Sequence, residues 1–239
     1  MIMSPDTERR QMTVRPAAVL FDLDGTLIDT IPHILASFRY ATEQVFGSAL
    51  SDEELLYHVG IPLIEQMRLM TQDEAIAQRL VAVYREFNHR THDQMAKLYP
   101  GTIETLTWLE SCGMTMGVVT SKGRPMATRG IELFGLSRFF ETVVTADDVT
   151  KHKPDPCPVL HAAAQLGVAA SDCVFIGDSP HDITAGNSAG SLTMGAVWGV
   201  AGRERLAEAS PDFMLETLGG LRDLLTDVCV DGVPLHQGI

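Results

Sequence analysis

The sequence predicts an α/β protein with a doubly wound parallel sheet and an inserted all-helical domain. Two observations predict the sheet: short apolar runs recur along the chain, and helical patterns that end in glycine separate most of them. A third observation, one long block that holds helical patterns only, predicts the insertion. The 239 residues, 45% hydrophobic and 21% charged, are enough for a core domain with an insertion.

The predicted strands are rich in β-branched residues and are apolar throughout rather than at alternate positions. Strands that are buried on both faces have this composition, because helices cover both sides of a parallel sheet. The five runs are Ala17–Asp22, Met116–Ser121, Glu141–Thr145, Cys173–Asp178 and Leu192–Trp198.

The segments between these runs carry helical spacing of apolar residues. Three of them, at 102–113, 126–135 and 158–167, end in glycine, which is the common residue just after a helix. This alternation of strand and helix predicts the parallel order of the sheet.

The alternation is interrupted once, between Thr30 and Pro100, where the patterns predict helices and no strand. The block begins at Ile31-Pro32 and ends at Tyr99-Pro100-Gly101, and such Pro/Gly boundaries suit two linkers to an inserted domain. We therefore expect a loosely ordered N-terminal tail at 1–16, a core at 17–30 and 100–228, a helical domain at 31–99 and a C-terminal tail at 229–239.

Charge and cysteine usage exclude several classes of function. The net charge is −13 and no Lys/Arg-rich block is present, so we expect neither a nucleic-acid partner nor an anionic membrane surface. No apolar run reaches the roughly 20 residues that span a bilayer. The oligomeric state is not determined by the sequence. The cysteines lack C-x-x-C spacing, which favours reduced, mostly buried thiols in a cytoplasmic protein over disulfides or zinc; they are Cys112, Cys157, Cys173 and Cys229.

Acidic residues follow two of the predicted strands. Asp22 and Asp24 close the first run and Asp178 closes another, and the carboxyl ends of parallel strands meet at one edge of the sheet. Carboxylates in one cleft repel one another unless a cation or a proton offsets them. Oxygen ligands of this kind suit Mg²⁺. Asp29 is the third acid of the segment from Phe21 to Asp29. It fits a position near the hinge to the helical block as well as it fits a role as a metal ligand.

Four segments in this order resemble the motifs of the haloacid dehalogenase superfamily of phosphotransferases. They are FDLDGTLID from Phe21, VVTSK from Val118, KPDP from Lys153 and GDSPHDITAG from Gly177. The resemblance covers nearly the whole chain from Ala17 and implies a Rossmann-like core with a helical cap.

The resemblance assigns roles to the acidic residues. Asp22 is implied as the nucleophile that forms an aspartyl-phosphate, and Asp24 as the acid and base that serves the leaving oxygen and then water. Asp178, the Asp22 carboxylate and the Asp24 backbone carbonyl are implied as ligands of Mg²⁺. Asp182 lies four residues after Asp178, and we expect it to orient ligands or waters rather than to bind the ion directly.

The resemblance also assigns a phosphate site. Thr120 and the backbone N–H of Ser121 match the family's phosphate-binding hydroxyl and amide. Lys153 matches the lysine that offsets charge between nucleophile and phosphate. Lys151 is the competing lysine, and the proline after Lys153 favours Lys153, because proline restricts the residue before it.

The helical insertion is expected to select the substrate. The polar spacing i, i+3, i+4, i+7 predicts one face of donors that suit anionic oxygens, with a solvated face as the alternative; its members are Arg85, Asn88, His89 and His92. The opposite face is predicted to be apolar and consists of Ile76, Leu80, Val83 and Phe87. Gly60 lies in a segment, GIPL, that resembles a cap loop that reaches the active site.

These residues together predict a Mg²⁺-dependent phosphohydrolase that acts on a small anionic phosphate. The segment from Tyr84 to Asp93 resembles the cap of PpaX-type inorganic pyrophosphatases, so pyrophosphate is the favoured substrate. 2-Phosphoglycolate or another small phosphate monoester is the alternative. A sugar-phosphate mutase and a phosphate-binding module without turnover are the remaining readings.

Overall fold

The computed structural model describes residues 14–48, 50–57 and 59–229. Most of the predicted N-terminal tail and nearly all of the predicted C-terminal tail therefore lie outside the described residues. In the part of the chain that the structure describes, no helix is long and apolar enough to cross a membrane.

The core is a six-stranded sheet in which every pairing is parallel, with the order β5-β4-β1-β6-β7-β8. The predicted fold class is confirmed, and each of the five predicted runs overlaps a strand. The strands are β1 Ala18–Phe21, β4 Thr115–Val119, β5 Thr142–Val144, β6 Cys173–Gly177, β7 Leu192–Ala196 and β8 Phe213–Leu215.

Helices cover both faces of the sheet. Along β1, Val19 and Phe21 pack into one apolar cluster and Ala18 and Leu20 into another, because successive side chains of a strand point to opposite faces. The first cluster includes side chains of α5 Thr102–Ser111, α6 Arg124–Leu133 and α10 Gly220–Leu225, and the second includes side chains of α7 Cys157–Gln165 and α8 Pro180–Ala189. A further helix, α9 Gly202–Glu208, precedes β8.

The insertion is a separate helical unit with its own apolar cluster, which includes Phe38, Met67 and Leu80. It consists of α1 Ile31–Phe46, α2 Asp52–Leu56, α3 Leu63–Met70 and α4 Glu74–Met95. The long helices α1 and α4 pack against each other along most of the unit.

Two short strands that the sequence did not predict join the insertion to the core. β2, Ile28–Asp29, pairs antiparallel with β3, Lys97–Leu98, so the entering and leaving chains are hydrogen-bonded side by side. The expectation that no strand lies between Thr30 and Pro100 was therefore wrong. Asp29 lies in this two-stranded link, at the base of the insertion.

The expectation of four reduced thiols was also wrong, since the structure joins Cys112 and Cys229 in a disulfide. Their Cα atoms lie 5.6 Å apart, within the range that a disulfide requires. Cys112 follows α5, and its carbonyl accepts a hydrogen bond of 2.6 Å from Arg15 Nη2. The pair thus holds the last described residue beside the turn after α5. Cys157 and Cys173 are free thiols.

We expect protein purified without reductant to show two reactive thiols after denaturation, and four after reduction. The disulfide closes a loop of 117 residues, and chain entropy sets a ceiling of about 5 kcal/mol on its contribution to stability. Cys112→Ser should therefore lower the melting temperature, whereas Cys157→Ser, a change at a free and half-buried thiol, should lower it much less. Four reactive thiols before reduction would contradict the pairing.

Candidate active site

Three neighbouring strands deliver the predicted site residues to one edge of the sheet. Asp22 directly follows β1, Thr120 follows β4 and Asp178 follows β6. They line a cavity of about 530 Å³ between this edge and the helical insertion. Since β1 pairs with both β4 and β6, these three side chains lie side by side.

A buried lysine holds two of the carboxylates. Lys153 Nζ donates to Asp22 Oδ1 at 2.8 Å, to Asp182 Oδ1 and to the carbonyl of Val119 at 3.2 Å. Burial would lower the pKa of Lys153, but Asp182 and Asp22 together raise it, so the ammonium stays charged. Lys151, the competing lysine, has a side chain that is 71% exposed and pairs with Asp155.

Asp178 occupies a recess that only glycine can border. A Cβ atom at Gly25, where φ is +86°, or at Gly199 would overlap the Asp178 carboxylate. Asp178 Oδ2 accepts a hydrogen bond of 2.7 Å from the backbone N–H of Val200. The glycine of the first motif therefore makes room for the carboxylate of the fourth.

Three buried carboxylates could hold a metal ion together: Asp22, Asp178 and Asp182 offer oxygen atoms within 4.8 Å of one another. Asp182 is the most committed of the three, because Oδ1 accepts from Lys153 and Oδ2 accepts from the Ser179 N–H at 3.0 Å and hydroxyl at 2.6 Å. Asp22 and Asp178 are therefore the better direct ligands, and Asp182 is placed to orient Lys153.

The electrostatics of the cluster fit a divalent cation. Burial is the main cause that raises the pKa of Asp22 to about 7, and the charges of Asp182 and Asp24 add to it. Burial and the charge of Asp22 likewise raise the pKa of Asp178 well above its ordinary value. One ammonium faces three carboxylates here, so a bound cation would offset the remaining negative charge.

Asp24 has a different partner. Asp24 Oδ1 accepts a hydrogen bond of 2.7 Å from Lys122 Nζ and one of 2.6 Å from the Thr30 hydroxyl. Burial would raise the pKa of Asp24, but the charge and hydrogen bond of Lys122 and the hydrogen bond of Thr30 outweigh it and lower the pKa. The two carboxylates of the first motif thus lie in opposite electrostatic surroundings.

The sequence analysis assigns no role to Lys122, although Lys122 is the last residue of the second motif, VVTSK. The signal was present, because Lys122 comes two residues after Thr120 and so lies at the same strand end. What the pattern could not indicate is the partner, since Lys122 and Asp24 belong to different strand ends 98 residues apart.

Ser121 connects the core to the insertion. Its hydroxyl donates to the carbonyl of Gly60 at 2.6 Å, and a Cβ atom at Gly60 would come within 2.7 Å of Ser179 Oγ. Gly60 has φ of +115°, which is outside the range of ordinary side-chain-bearing residues. The loop after α2 can therefore approach the carboxylate cluster this closely only because Gly60 has no side chain.

The predicted donor face of α4 is divided by the structure. Arg85 and His89 are exposed and line the cavity from the side of the insertion. Asn88 also borders the cavity, but it is buried and its amide donates to Ser37 Oγ on α1 at 3.2 Å. The face of α4 that packs inward consists of Ala77, Leu80, Val81, Tyr84, Asn88 and His92.

His92 is not among the residues that line the cavity, so its expected place on the donor face was wrong. It is fully buried, its Nδ1 lies 2.9 Å from Asp93 Oδ1, and its ring faces Gly130 of α6. The helical register that carries Tyr84 and Asn88 inward carries His92 inward as well. Arg129 pairs with Asp93 and donates to the His89 carbonyl, which joins α6 of the core to the end of α4.

Comparison with known proteins agrees with this geometry. The family model described as haloacid dehalogenase-like hydrolase matches residues 19–196. The pyrophosphatase PpaX of Bacillus velezensis is 39% identical over 207 residues, which cover 87% of this chain and 95% of that protein. The pyrophosphatase PpaX of Bacillus pumilus is 40% identical over 213 residues, with coverage of 89% and 96%.

Solved structures share the fold. A predicted phosphoglycolate phosphatase from Haemophilus somnus aligns with a TM-score of 0.82 at 22% identity, over 89% of this chain and 99% of that chain. A hydrolase from Pseudomonas syringae aligns with a TM-score of 0.81 at 25% identity, with the same coverage. The family match spans well over half of the sequence and includes the strand ends that form the cavity. The chain belongs to the haloacid dehalogenase-like hydrolases.

Proposed function

We propose that the protein hydrolyses inorganic pyrophosphate with Mg²⁺ through an aspartyl-phosphate. The observation that carries the proposal is that Asp22 and Asp24 have different partners. Asp22 lies in the carboxylate cluster and binds Lys153, whereas Asp24 lies outside the cluster and binds Lys122. One carboxylate is placed for attack beside a cation site. The other keeps one oxygen, Oδ2, without a donor among the described residues, and this oxygen is available for proton transfer.

In the first step, an Asp22 carboxylate oxygen attacks one phosphorus of pyrophosphate and the bond from that phosphorus to the bridging oxygen breaks. Asp24 is ionised at rest, and the negative charge of the bound substrate favours its uptake of a proton from solvent. Asp24 then gives this proton to the bridging oxygen, which leaves with the electron pair as part of orthophosphate. Lys153 Nζ, the Thr120 hydroxyl and the Ser121 N–H neutralise and hold the transferred group. Mg²⁺, bound by Asp22, Asp178 and the Asp24 carbonyl, would supply positive charge beside the attacked phosphorus.

In the second step, water attacks the phosphorus of the aspartyl-phosphate and gives a proton to Asp24. The acyl phosphate bond breaks, and Asp22 regains its carboxylate. Asp182 keeps Lys153 in place throughout, because both of its oxygens remain bound to Lys153 and to Ser179.

The choice of pyrophosphate over 2-phosphoglycolate depends on the insertion, residues 31–99, which we propose as a cap on the core at 17–30 and 100–228. Arg85 and His89 present donors to the cavity opposite the cluster, where a second phosphate would lie. The relatives named pyrophosphatase PpaX, at 39% and 40% identity, support this substrate. 2-Phosphoglycolate, which carries a carboxylate in place of the second phosphate, is the alternative.

The partners follow from the same site: a small anionic phosphate, and neither nucleic acid nor membrane. We also propose a cytoplasmic location, as such substrates are metabolites of that compartment. Because cytoplasmic thiols are kept reduced, we expect Cys112 and Cys229 to be reduced in freshly lysed cells and to pair when the protein is purified without reductant. Only two reactive thiols in freshly lysed cells would contradict this location.

The test of the proposed function is kcat/KM with Mg²⁺ for pyrophosphate and for 2-phosphoglycolate, measured side by side. A preference for pyrophosphate of more than about tenfold, roughly 1.4 kcal/mol of transition-state discrimination, is the expected result. The reverse preference would replace the substrate and leave the chemistry of the core unchanged.

Arg85→Ala is expected to lower kcat/KM for pyrophosphate by about 10- to 100-fold, because it removes a charged donor from the side where the second phosphate lies. His89→Ala should lower it less, since the pKa of His89 is lowered by burial and by Arg85, which favours the neutral ring. Arg90→Ala is the matched control: its side chain is exposed and pairs with Glu86 on the same helix. An equal loss of kcat/KM in Arg90→Ala would mean that the effect of Arg85→Ala does not come from a contact in the cavity.

A further inference from the structure

Two lysines among the described residues line the cavity, and they differ in the number of their hydrogen-bond partners. Lys153 is buried and bound to two carboxylates and a backbone carbonyl. Lys122 binds a single carboxylate oxygen, that of Asp24, and its side chain lines the cavity with 15% of its surface exposed. Lys122 is therefore the ammonium that can change partners when an anion enters.

The surroundings of Asp24 place Lys122 beside the leaving group. Both of its side-chain hydrogen bonds, from Lys122 and from Thr30, end on Oδ1. Among the described residues, none donates to Oδ2, so Oδ2 is the oxygen that can face the substrate. A leaving oxygen that binds Oδ2 lies across one carboxyl group from Lys122 Nζ, within the reach of a flexible lysine side chain.

We propose that Lys122 binds the departing phosphate and so determines specificity for an anionic leaving group. This rests on the proposed function, because only a pyrophosphate-like substrate carries a second phosphate at this place. As the bridging oxygen leaves with its electron pair, negative charge collects on the departing phosphate, and the ammonium of Lys122 lies beside it. Arg85 approaches the same phosphate from the insertion, so that core and cap hold it from two sides.

The test uses Lys122→Met in the full chain with Mg²⁺ and three substrates: pyrophosphate, phenyl phosphate and p-nitrophenyl phosphate. The aryl leaving groups carry no phosphate, and phenolate needs protonation more than p-nitrophenolate does. We expect kcat/KM for pyrophosphate to fall about 100-fold and both aryl esters to fall by an equal factor at least tenfold smaller. Lys122→Arg should restore part of the pyrophosphate rate. Lys151→Met, at an exposed lysine outside the cavity, is the matched control.

Two patterns among the three substrates would overturn the proposal. If phenyl phosphate falls as far as pyrophosphate while p-nitrophenyl phosphate falls less, Lys122 acts by positioning Asp24. If all three fall equally, its role is structural. Inhibition of p-nitrophenyl phosphate hydrolysis by methylenediphosphonate separates this proposal from the proposed function, because the inhibitor carries two phosphonates and is not cleaved. Lys122→Met should raise its inhibition constant at least tenfold and leave that of orthophosphate nearly constant, whether or not the wild type turns over pyrophosphate. Equal inhibition constants would contradict the contact.

Discussion

Asp22→Asn is expected to lower kcat for pyrophosphate by at least about 10⁴-fold, because the amide cannot form the aspartyl-phosphate and nothing else in the cluster is placed to replace it. The variant should fold. Asp22 is buried and its pKa is raised to about 7, so removing its charge relieves a cost of the metal-free protein. Turnover is measured by orthophosphate release, and folding by thermal melting without metal.

The matched control is Asp29→Asn, the same chemical change seven residues along the chain. Asp29 lies in β2 beside Lys97, and its contact within the described residues is a long one of 3.5 Å with the Tyr99 hydroxyl. It should keep most of the activity. Full activity in Asp22→Asn would contradict the assignment of Asp22 as the nucleophile. An equal loss of activity in Asp29→Asn would indicate damage to the link between core and insertion.

The parallel sheet could be predicted because its signal is local. The five predicted core strands are short and largely apolar without alternation, and β1 shows the reason: Val19 and Ala18 point to opposite faces, and helices cover both. The positions of Asp22, Thr120 and Asp178 could be predicted for a related reason, since parallel strands place their carboxyl ends at one edge.

The elements that were missed depend on tertiary contacts. β2 and β3 have two residues each and exist because the two linkers run side by side. β8, Phe213–Leu215, is a short edge strand that pairs with β7 over three residues. The Cys112–Cys229 pair joins positions 117 residues apart, and the connectivity of cysteines cannot be deduced from spacing alone.

The four residues predicted as the donor face of α4 do not lie on one face in the structure, because α4 packs against α1. The predicted faces are mixed in the structure, because Asn88 and His92 of the donor face are buried on the same side as Leu80 of the apolar face. The other three members of the predicted apolar face are half-buried; they are Ile76, Val83 and Phe87. Packing against α1 takes Tyr84 and Asn88 inward, and the same register takes His92 to Gly130 of the core. Gly130 is the residue that admits the ring there, and a contact between two helices of different units has no signature in either helix.

Mg²⁺ is expected to raise the melting temperature more at pH 8 than at pH 5. In the metal-free fold the pKa of Asp22 is raised from its ordinary 3.8 to about 7, and the pKa of Asp178 is also raised well above 3.8, in both cases mainly by burial. Above pH 4 the unfolded chain has released these protons and the fold still holds them. The contribution of these two groups to the stability of the metal-free protein therefore falls as the pH rises from about 4 to about 7. A bound cation favours the ionised carboxylates and reverses this loss.

The difference between melting with and without Mg²⁺ is the quantity to follow, because other groups cancel from it. His33, for example, has a pKa lowered to about 4 by burial and by His92, so it adds stability as the pH rises from 4 to 6.5. That contribution is present with and without the ion. The carboxylates can account for a few kcal/mol, which corresponds to about 5 to 10 °C in a chain of this length.

Asp178→Asn provides the control for this experiment. It removes one of the two raised carboxylates, so both the pH dependence of the metal-free protein and the stabilisation by Mg²⁺ should shrink, while turnover should be lost with the site. Removal of Mg²⁺ from the wild type with a chelator should abolish turnover in the same way. Turnover should return when Mg²⁺ is added back. A Mg²⁺ effect that is the same at pH 5 and pH 8, or that survives Asp178→Asn, would place the ion away from Asp22 and Asp178.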